Sequence, residues 1–270
     1  MKRGYFFRRN GMKRLGVLIV SWLIIAIFSS IASASLVAHW DFNGNTNDIS
    51  GNENHGTVHG AVTLTTDRFG NLSSAYSFDG ASGYIDVADA PSLNPTSAIT
   101  ITAWFKADSF ASGTAWPPLV KKSDSSQTNG YGMEFAQISD EYSAKVGGGV
   151  YLEGQGWVAT SPLAPVSVNT WYFAAIVYDG ETISNYVRSE GQEAFTSSIS
   201  CSGNIIASSN NLNIGRDPSN TGRYFEGVID DVRIYNQALS STEIEQIYNV
   251  PEPATLLLLG LGGFMLRRKR

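Results

Sequence analysis

Short apolar segments separated by turn residues fill the chain from residue 35 to residue 249. In the segments 36–42 and 99–105 apolar and polar residues alternate, which is typical of strands with one buried face. In the first of these segments the alternation places four residues on one face: Leu36, Ala38, Trp40 and Phe42. The segment Trp171–Tyr178 is apolar throughout, as in a central strand covered on both faces. Regularly spaced short strands with Asn-Gly, Asp-Gly and Ser-Gly turns predict an all-β sandwich or barrel.

One short helix is predicted, and it follows the last strand. Ser240 and Glu243 have the spacing of a capping box, in which each residue satisfies a free backbone N–H of the other. Ile244, Ile247 and Tyr248 then fall on one helical face. We expect this helix to cover one end of the β structure.

The charges are divided unevenly between the ends of the chain and the part between them. Ten of the 19 basic residues lie in the first 14 and the last four positions, whereas all 24 acidic residues lie between Asp41 and Glu252. Nine basic residues against 24 acidic ones give that middle part a formal net charge of −15. Such a surface repels phosphates, so nucleic acid and anionic lipid are excluded as general partners, whereas divalent cations are attracted.

The N-terminal segment 1–34 has the pattern of a secretory signal peptide. A basic stretch precedes the apolar run Leu15–Phe28, and Ala32-Ser33-Ala34 fits a small-x-small cleavage site. We expect the mature protein to begin near Ser35; the alternative is an uncleaved membrane anchor. Cys201 is the only cysteine, so an exported chain of this sequence has no internal disulfide.

Several segments between residues 78 and 248 together resemble a known family. They are Phe78–Val87, Ile99–Phe105, Trp171–Gly180, Gly227–Tyr235 and Leu239–Tyr248. In this order they resemble the laminin-G-like and pentraxin-like jelly rolls of the concanavalin A-like lectin/glucanase superfamily. The resemblance covers nearly all of residues 35–249 and implies one domain, a jelly-roll sandwich of two antiparallel sheets with one short C-terminal helix.

The glucanases of that superfamily carry paired carboxylates, usually in a Glu-x-Asp-x-x-Glu run, and no such run exists in this chain. Retaining hydrolysis requires two carboxyl groups that flank the scissile bond. No Ser-His-Asp order, phosphate loop or nucleotide fingerprint stands out either. The sequence therefore predicts that the protein is not an enzyme, although carboxylates from distant strands could still meet.

A calcium site is suggested by oxygen-bearing side chains at alternate positions from Asp41 through Asn43 and Asn45 to Asn47. The run is not an EF-hand loop, because its sixth residue is Thr46 and its twelfth is Asn52. A set of Asx turns explains the same pattern equally well.

Asp230 bears on the same question. Alternation along the strand 228–235 places Val228, Asp230, Val232 and Ile234 on one face, and a carboxylate among aliphatic side chains needs a counter-charge. That partner is a cation, an arginine or several backbone N–H groups. Many jelly rolls of the resembled superfamily hold a structural calcium near the ends of their terminal strands. We therefore hypothesise that Asp230, Asp41 and Asn43 share one calcium ion.

Aromatic residues in predicted loops are candidates for stacking on sugar rings: Trp116, Tyr131, Tyr142, Tyr151 and Trp157. Packing in the core is the commoner role for such residues in a sandwich. Three functions follow from these patterns. The preferred one is a non-catalytic surface or matrix protein that binds carbohydrate, such as exopolysaccharide; the alternatives are a glycan-cleaving enzyme and a purely structural adhesion protein.

The tail, residues 250–270, combines Pro251-Glu252-Pro253, an apolar run and a basic end. The run 254–266 has 13 residues and spans roughly 20 Å as a helix, short of the ~30 Å hydrocarbon core. The arrangement resembles the PEP-CTERM sorting signal of Gram-negative bacteria that make exopolysaccharide. It implies transient insertion into the inner membrane, cleavage near the Pro-Glu-Pro motif by an exosortase-type membrane protease, and transfer to the cell surface or exterior. The alternative is a C-terminal anchor that is left in place.

Overall fold

Sixteen strands in two antiparallel sheets make up most of the computed structural model. The structure describes residues 36–110, 116–123, 128–136, 138, 140–219 and 222–250. Within these ranges there are also one α-helix and a short 3-10 turn at Pro91–Leu93. The predicted signal peptide and the predicted tail, with its Pro251-Glu252-Pro253 motif, lie outside the described residues, apart from Val250.

Sheet I has eight strands: β1 (Leu36–Trp40), β3 (Val62–Thr65), β4 (Ala75–Asp79), β6 (Ile99–Ala107), β12 (Tyr172–Tyr178), β13 (Thr182–Ser189), β14 (Phe195–Ser200) and β16 (Glu226–Tyr235). Their order across the sheet is β14-β13-β12-β6-β16-β4-β3, and β1 pairs with β16.

Sheet II also has eight strands: β2 (Gly56–His59), β5 (Tyr84–Val87), β7 (Pro118–Lys122), β8 (Tyr131–Ala136), β9 (Ser143–Leu152), β10 (Gly156–Ala159), β11 (Ala164–Ser167) and β15 (Leu212–Ile214). Their order is β10-β9-β8-β7-β15-β5-β2, and β11 pairs with β9.

The core between the sheets is built from side chains that point inward at alternate positions along the strands. Ala38, Trp40 and Phe42 are fully buried in it, as the alternation of this segment predicts, whereas Leu36 packs on the other side of sheet I. A change of register between Leu36 and Ala38 accounts for this difference. The prediction of an all-β two-sheet sandwich is confirmed.

Strand β12 is covered on both faces, as its continuous apolar sequence predicts. Ala174 and Ile176 face the core between the sheets, whereas Phe173 and Ala175 face the opposite side. There they pack with the helix α1 (Ser241–Tyr248), whose Ile244 and Ile247 are buried.

The capping box of α1 is present. The Ser240 hydroxyl accepts from the N–H of Glu243 at 3.3 Å, and the Glu243 carboxylate accepts from the N–H of Ser240 at 2.8 Å. The helix thus closes the outer face of sheet I.

Candidate functional site

The outer face of sheet II carries polar and charged side chains at its centre. Val120 of β7 and Met133 of β8 point into the core. The residue after each of them, Lys121 and Glu134, points to the outer face, where the two side chains meet. The Lys121 ammonium lies 2.7 Å from the Glu134 carboxylate. On β15, Asn213 is paired with Lys121 across the sheet, so it belongs to the same face.

A cleft of about 290 Å³ opens on this face. Its walls include two tryptophans, an acid, a lysine and a polar loop: Trp116, Trp157, Glu134, Lys145, Thr160 and Ser161. We call this the Trp cleft. Its aromatic walls and few polar groups are features typical of ligand sites.

Two of three consecutive glycines of β9, Gly147 and Gly149, make room for the cleft. An ideal Cβ on Gly149 would come within 2.7 Å of the Trp157 ring, and one on Gly147 within 2.5 Å of the Thr160 hydroxyl. The ring of Trp157 therefore lies directly against the backbone of β9. Because a side chain at either glycine would collide with these groups, the glycines are needed for the shape of the cleft.

A buried network of charges lies beside the Trp cleft. Lys121, which is 2 % exposed, contacts Glu134 and lies 3.5 Å from the Asp217 carboxylate; Arg223 lies 3.2 Å from the same carboxylate. The Lys121 ammonium also lies 5.4 Å from the centroid of the Trp157 ring, within cation–π range. The charged network therefore contacts the wall of the cleft that Trp157 forms.

The same network shifts two pKa values in opposite directions. Burial raises the pKa of the Glu134 carboxyl, and the nearby Lys121 only partly opposes this effect. Burial also opposes ionisation of Asp217, but hydrogen bonds from Ser219 and the charge of Lys121 outweigh it and lower the pKa of Asp217.

The structure brings together two of the five candidate aromatics. Trp116 and Trp157 line the Trp cleft; Trp116 is 44 % exposed and has a positive φ of 70°. Tyr151 is half-buried on β9, directly opposite Trp157 on β10. Tyr142 is 62 % exposed but lies outside the walls of the cleft.

Tyr131 is a core residue, and its assignment as a ligand-binding residue was wrong. Its side chain is only 1 % exposed, and its hydroxyl donates to the carbonyl of Leu93 at 3.0 Å. The residue belongs to β8 and alternates inward with Met133, so its ring cannot present a face to a sugar.

The Asp41 segment forms the Asx turns that were the alternative to calcium binding. The Asp41 carboxylate accepts from the backbone and the side chain of Asn43 at 3.3 and 3.1 Å, and Asn45 accepts from the N–H of Asn47 at 2.8 Å. Among the residues that the structure describes, no three His, Cys, Asp or Glu side chains group as metal ligands. Calcium binding stays a prediction.

Asp230 lies on the outer face of sheet I, which corrects the face deduced from alternation. A register shift follows it in β16, and Asp231 has a positive φ of 48°. Because of this bulge, Val232 points into the core while Asp230 lies opposite Trp104. Its carboxylate accepts from Arg68 at 3.0 Å, so the counter-charge seen here is an arginine.

Sequence reasoning missed Lys121, Glu134, Lys145 and Asp217. They come from different strands or from the segment after β15, with no short motif linking them. The one local signal is the run Lys145–Val150, where three glycines interrupt a strand pattern; such glycines often mark a close approach.

The described helix α1 is too short to cross a bilayer, and no other helix in the described part of the chain is a membrane-span candidate.

Two antiparallel sheets with a polar, cleft-bearing outer face define a lectin-like sandwich. Residues 79–245, more than half of the chain, match the Laminin_G_3 family model, described as the concanavalin A-like lectin/glucanases superfamily. The protein therefore belongs to this superfamily. Residues 249–270 match the PEP-CTERM protein-sorting motif, which indicates export and sorting by an exosortase to the cell surface.

Solved structures of similar fold come from one domain of an arabinanase and from the binding domains of toxins. One is domain 4 of AbnA, an extracellular arabinanase from Geobacillus stearothermophilus, in complex with arabinotriose (TM-score 0.55, 19% identity, 79% of this chain and 98% of that chain). Another is the binding domain of Paraclostridial Mosquitocidal Protein 1 (TM-score 0.61, 16% identity, 80% of this chain and 52% of that chain). A third is the binding domain of botulinum neurotoxin DC in complex with SialylT (TM-score 0.52, 12% identity, 80% of this chain and 52% of that chain).

The matched region spans about half the length of the two toxin chains. At these identities the likeness concerns the fold alone. No curated protein matches the sequence.

Proposed function

We propose that the protein binds carbohydrate without cleaving it, at the cell surface or outside the cell, through the Trp cleft. The observation that carries the proposal is that Trp116 and Trp157 line the same cleft as Glu134 and Lys145. Flat aromatic rings offer apolar faces on which sugar rings can stack, and the charged groups can fix the hydroxyls of the sugar.

The carboxylates of the site favour binding over hydrolysis. Glu134 lines the cleft, but its carboxylate is engaged by Lys121. The second carboxylate of the network, Asp217, is fully buried and is held by Lys121 and Arg223. Hydrolysis requires two carboxyl groups that reach the glycosidic bond from opposite sides. A substrate in the cleft would not touch Asp217.

A glycan array combined with a reducing-sugar assay tests this proposal. We expect binding of at least one glycan and no release of reducing ends. Trp157→Ala should weaken binding about 5- to 30-fold, as expected for the loss of an aromatic anchor. Trp171→Ala is the matched control, because Trp171 lies beside Lys106 and packs against the apolar cluster on the outer face of sheet I. Release of reducing ends would support the enzyme alternative, and no binding to any glycan would support a purely structural role.

For the tail, we propose cleavage near Pro251-Glu252-Pro253 by the exosortase-type protease, with the segment 254–266 inserted in the inner membrane only until then. Mass measurement of the mature C-terminus tests this step. A protein that retains Arg270 in cells with an intact sorting system would contradict it and favour a permanent anchor.

A further inference from the structure

The outer face of sheet II carries basic residues beside the Trp cleft, although the body of the chain is acidic. Between Asp41 and Glu252 the chain has nine basic residues. Four of them belong to this face: Lys121, Lys145, Arg216 and Arg223. In a body of formal net charge −15, a cation that lacks an internal ion-pair partner is a favourable contact for a negatively charged ligand.

Two of these four cations are neutralised within the protein, and two are not. Lys121 and Arg223 pair with the Glu134 and Asp217 carboxylates. Lys145 lines the Trp cleft, and within the described ranges no acidic group lies at ion-pair distance from its ammonium. The cleft therefore offers one uncompensated positive charge to whatever binds there.

Arg216 forms a second basic and aromatic site on the same face. Its guanidinium carbon lies 3.5 Å from the centroid of the Tyr84 ring, and the ring of His59 stacks on Tyr84 at 4.8 Å. Its Nε donates to the Asn213 side chain, which in turn donates to Asp86. We call His59, Tyr84 and Arg216 the Tyr84 platform.

The guanidinium of this platform is held in place yet still able to bind a ligand. The Asn213 contact and the ring fix its plane, while its two terminal nitrogens have no hydrogen-bond partner in the part of the chain that the structure describes. A fixed guanidinium fork matches the geometry of a carboxylate, which it binds through two parallel hydrogen bonds.

The Trp cleft and the Tyr84 platform are separated by the width of several strands. Lys145 lies on β9, and Arg216 follows β15, three strands away in the order β9-β8-β7-β15. At about 4.8 Å between neighbouring strands, the backbones of β9 and β15 are roughly 14 Å apart across the sheet. The neutralised network of Lys121, Glu134 and Asp217 lies between them.

We propose that the ligand is an acidic polysaccharide, and that one chain of it extends across sheet II from the Trp cleft to the Tyr84 platform. Lys145 pairs with a carboxylate in the cleft, and Arg216 pairs with a second carboxylate several sugars along the chain. This inference rests on the proposed function, because it names the class of carbohydrate and extends the site.

Uronic-acid oligosaccharides of increasing length, each compared with its carboxyl-reduced neutral counterpart, test the inference by calorimetry at low and high salt. We expect the acidic form to bind more tightly, and its advantage to fall with salt. Lys145→Gln should weaken binding of acidic oligosaccharides of every length about tenfold, the scale of a hydrogen bond to a charged group. Arg216→Gln should weaken only the binding of the longer ones. Lys106→Gln, on the outer face of sheet I, is the control and should change neither.

The outcomes separate this inference from the proposed function. Equal binding of acidic and neutral forms, with a loss in Trp157→Ala, would overturn the acidic ligand while leaving carbohydrate binding intact. If Arg216→Gln weakens binding at no oligosaccharide length, the ligand does not extend to the Tyr84 platform. If no oligosaccharide of the panel binds better than its reduced counterpart, the inference is wrong.

Discussion

The pairing of Asp230 with Arg68 gives the sharpest test of how this sandwich is held together. The Asp230 carboxylate is 0 % exposed, and the Arg68 side chain that contacts it is itself buried. The Arg68 guanidinium also lies 4.3 Å from the Trp104 ring centroid, so it is fixed between a carboxylate and an aromatic face. Replacing Arg68 with Met keeps most of its apolar stem and removes the guanidinium, with its charge and its hydrogen-bond donors.

The expected loss in Arg68→Met is large, because removing one partner leaves a buried carboxylate without this cation. Broken buried ion pairs typically cost about 3–5 kcal/mol of unfolding free energy. For a domain of this size each kcal/mol lowers Tm by about 2–4 °C, so we expect a decrease of about 6–20 °C. Urea and thermal unfolding of the purified protein at pH 7 measure both quantities.

The double variant Arg68→Met/Asp230→Asn is the matched control. Because it also removes the stranded charge, it should be more stable than Arg68→Met alone, despite carrying an additional substitution. A loss below about 1 kcal/mol in Arg68→Met, or losses in the double variant that simply add, would refute the view that the ion pair balances a buried charge.

The calcium hypothesis gives a different result in the same assay. If Asp41, Asn43 and Asp230 hold calcium, a chelator should lower the Tm of the unsubstituted protein, and native mass spectrometry should detect a calcium-sized mass difference. If neither change occurs, the calcium hypothesis is wrong and the carboxylate depends on the arginine.

Three further predictions concern stability. Lys121→Met should cost about 3–5 kcal/mol in urea unfolding, because it leaves its carboxylate partners without their shared cation; an unchanged midpoint would contradict this. Ser240→Ala should cost about 1 kcal/mol by losing the capping box, and Ser240→Thr, the matched control, should cost less. Burial raises the pKa of Asp79, but hydrogen bonds from the residues of the following loop outweigh burial and lower this pKa to about 2. Burial also raises the pKa of Asp231, but the charge of Arg233 outweighs it and lowers this pKa. Both carboxylates therefore contribute stability that is present above an unfolded pKa of about 4 and is lost as pH falls towards the lowered values; a Tm that does not fall between pH 5 and 2 would contradict this.

Local patterns predicted the fold because each depends on a few neighbouring residues. The continuous apolar run of β12 correctly indicated a strand covered on both faces. The capping box correctly placed the start of α1, since both of its hydrogen bonds lie within four residues. Periodicity failed at Asp230, because a single bulge moves every later residue of the strand to the other face.

The candidate site was less predictable because it is assembled across strands. Lys121 meets Glu134 only because β7 and β8 pair in one register, and Trp157 reaches the cleft only because β10 folds back on β9. Tyr131 and Tyr151 are both tyrosines of sheet II, yet one is in the core and the other on the surface. Their difference depends on the pairing of the strands, which no short sequence window contains.

The two outer faces of the sandwich differ in what covers them. The outer face of sheet I is closed by α1, and Leu36 packs there as well. Leu36 and α1 thus lie on the same side of the sandwich. The Trp cleft opens on sheet II, on the opposite side. Because α1 covers part of the outer face of sheet I, the proposed carbohydrate site lies on the side of the sandwich that the helix leaves uncovered.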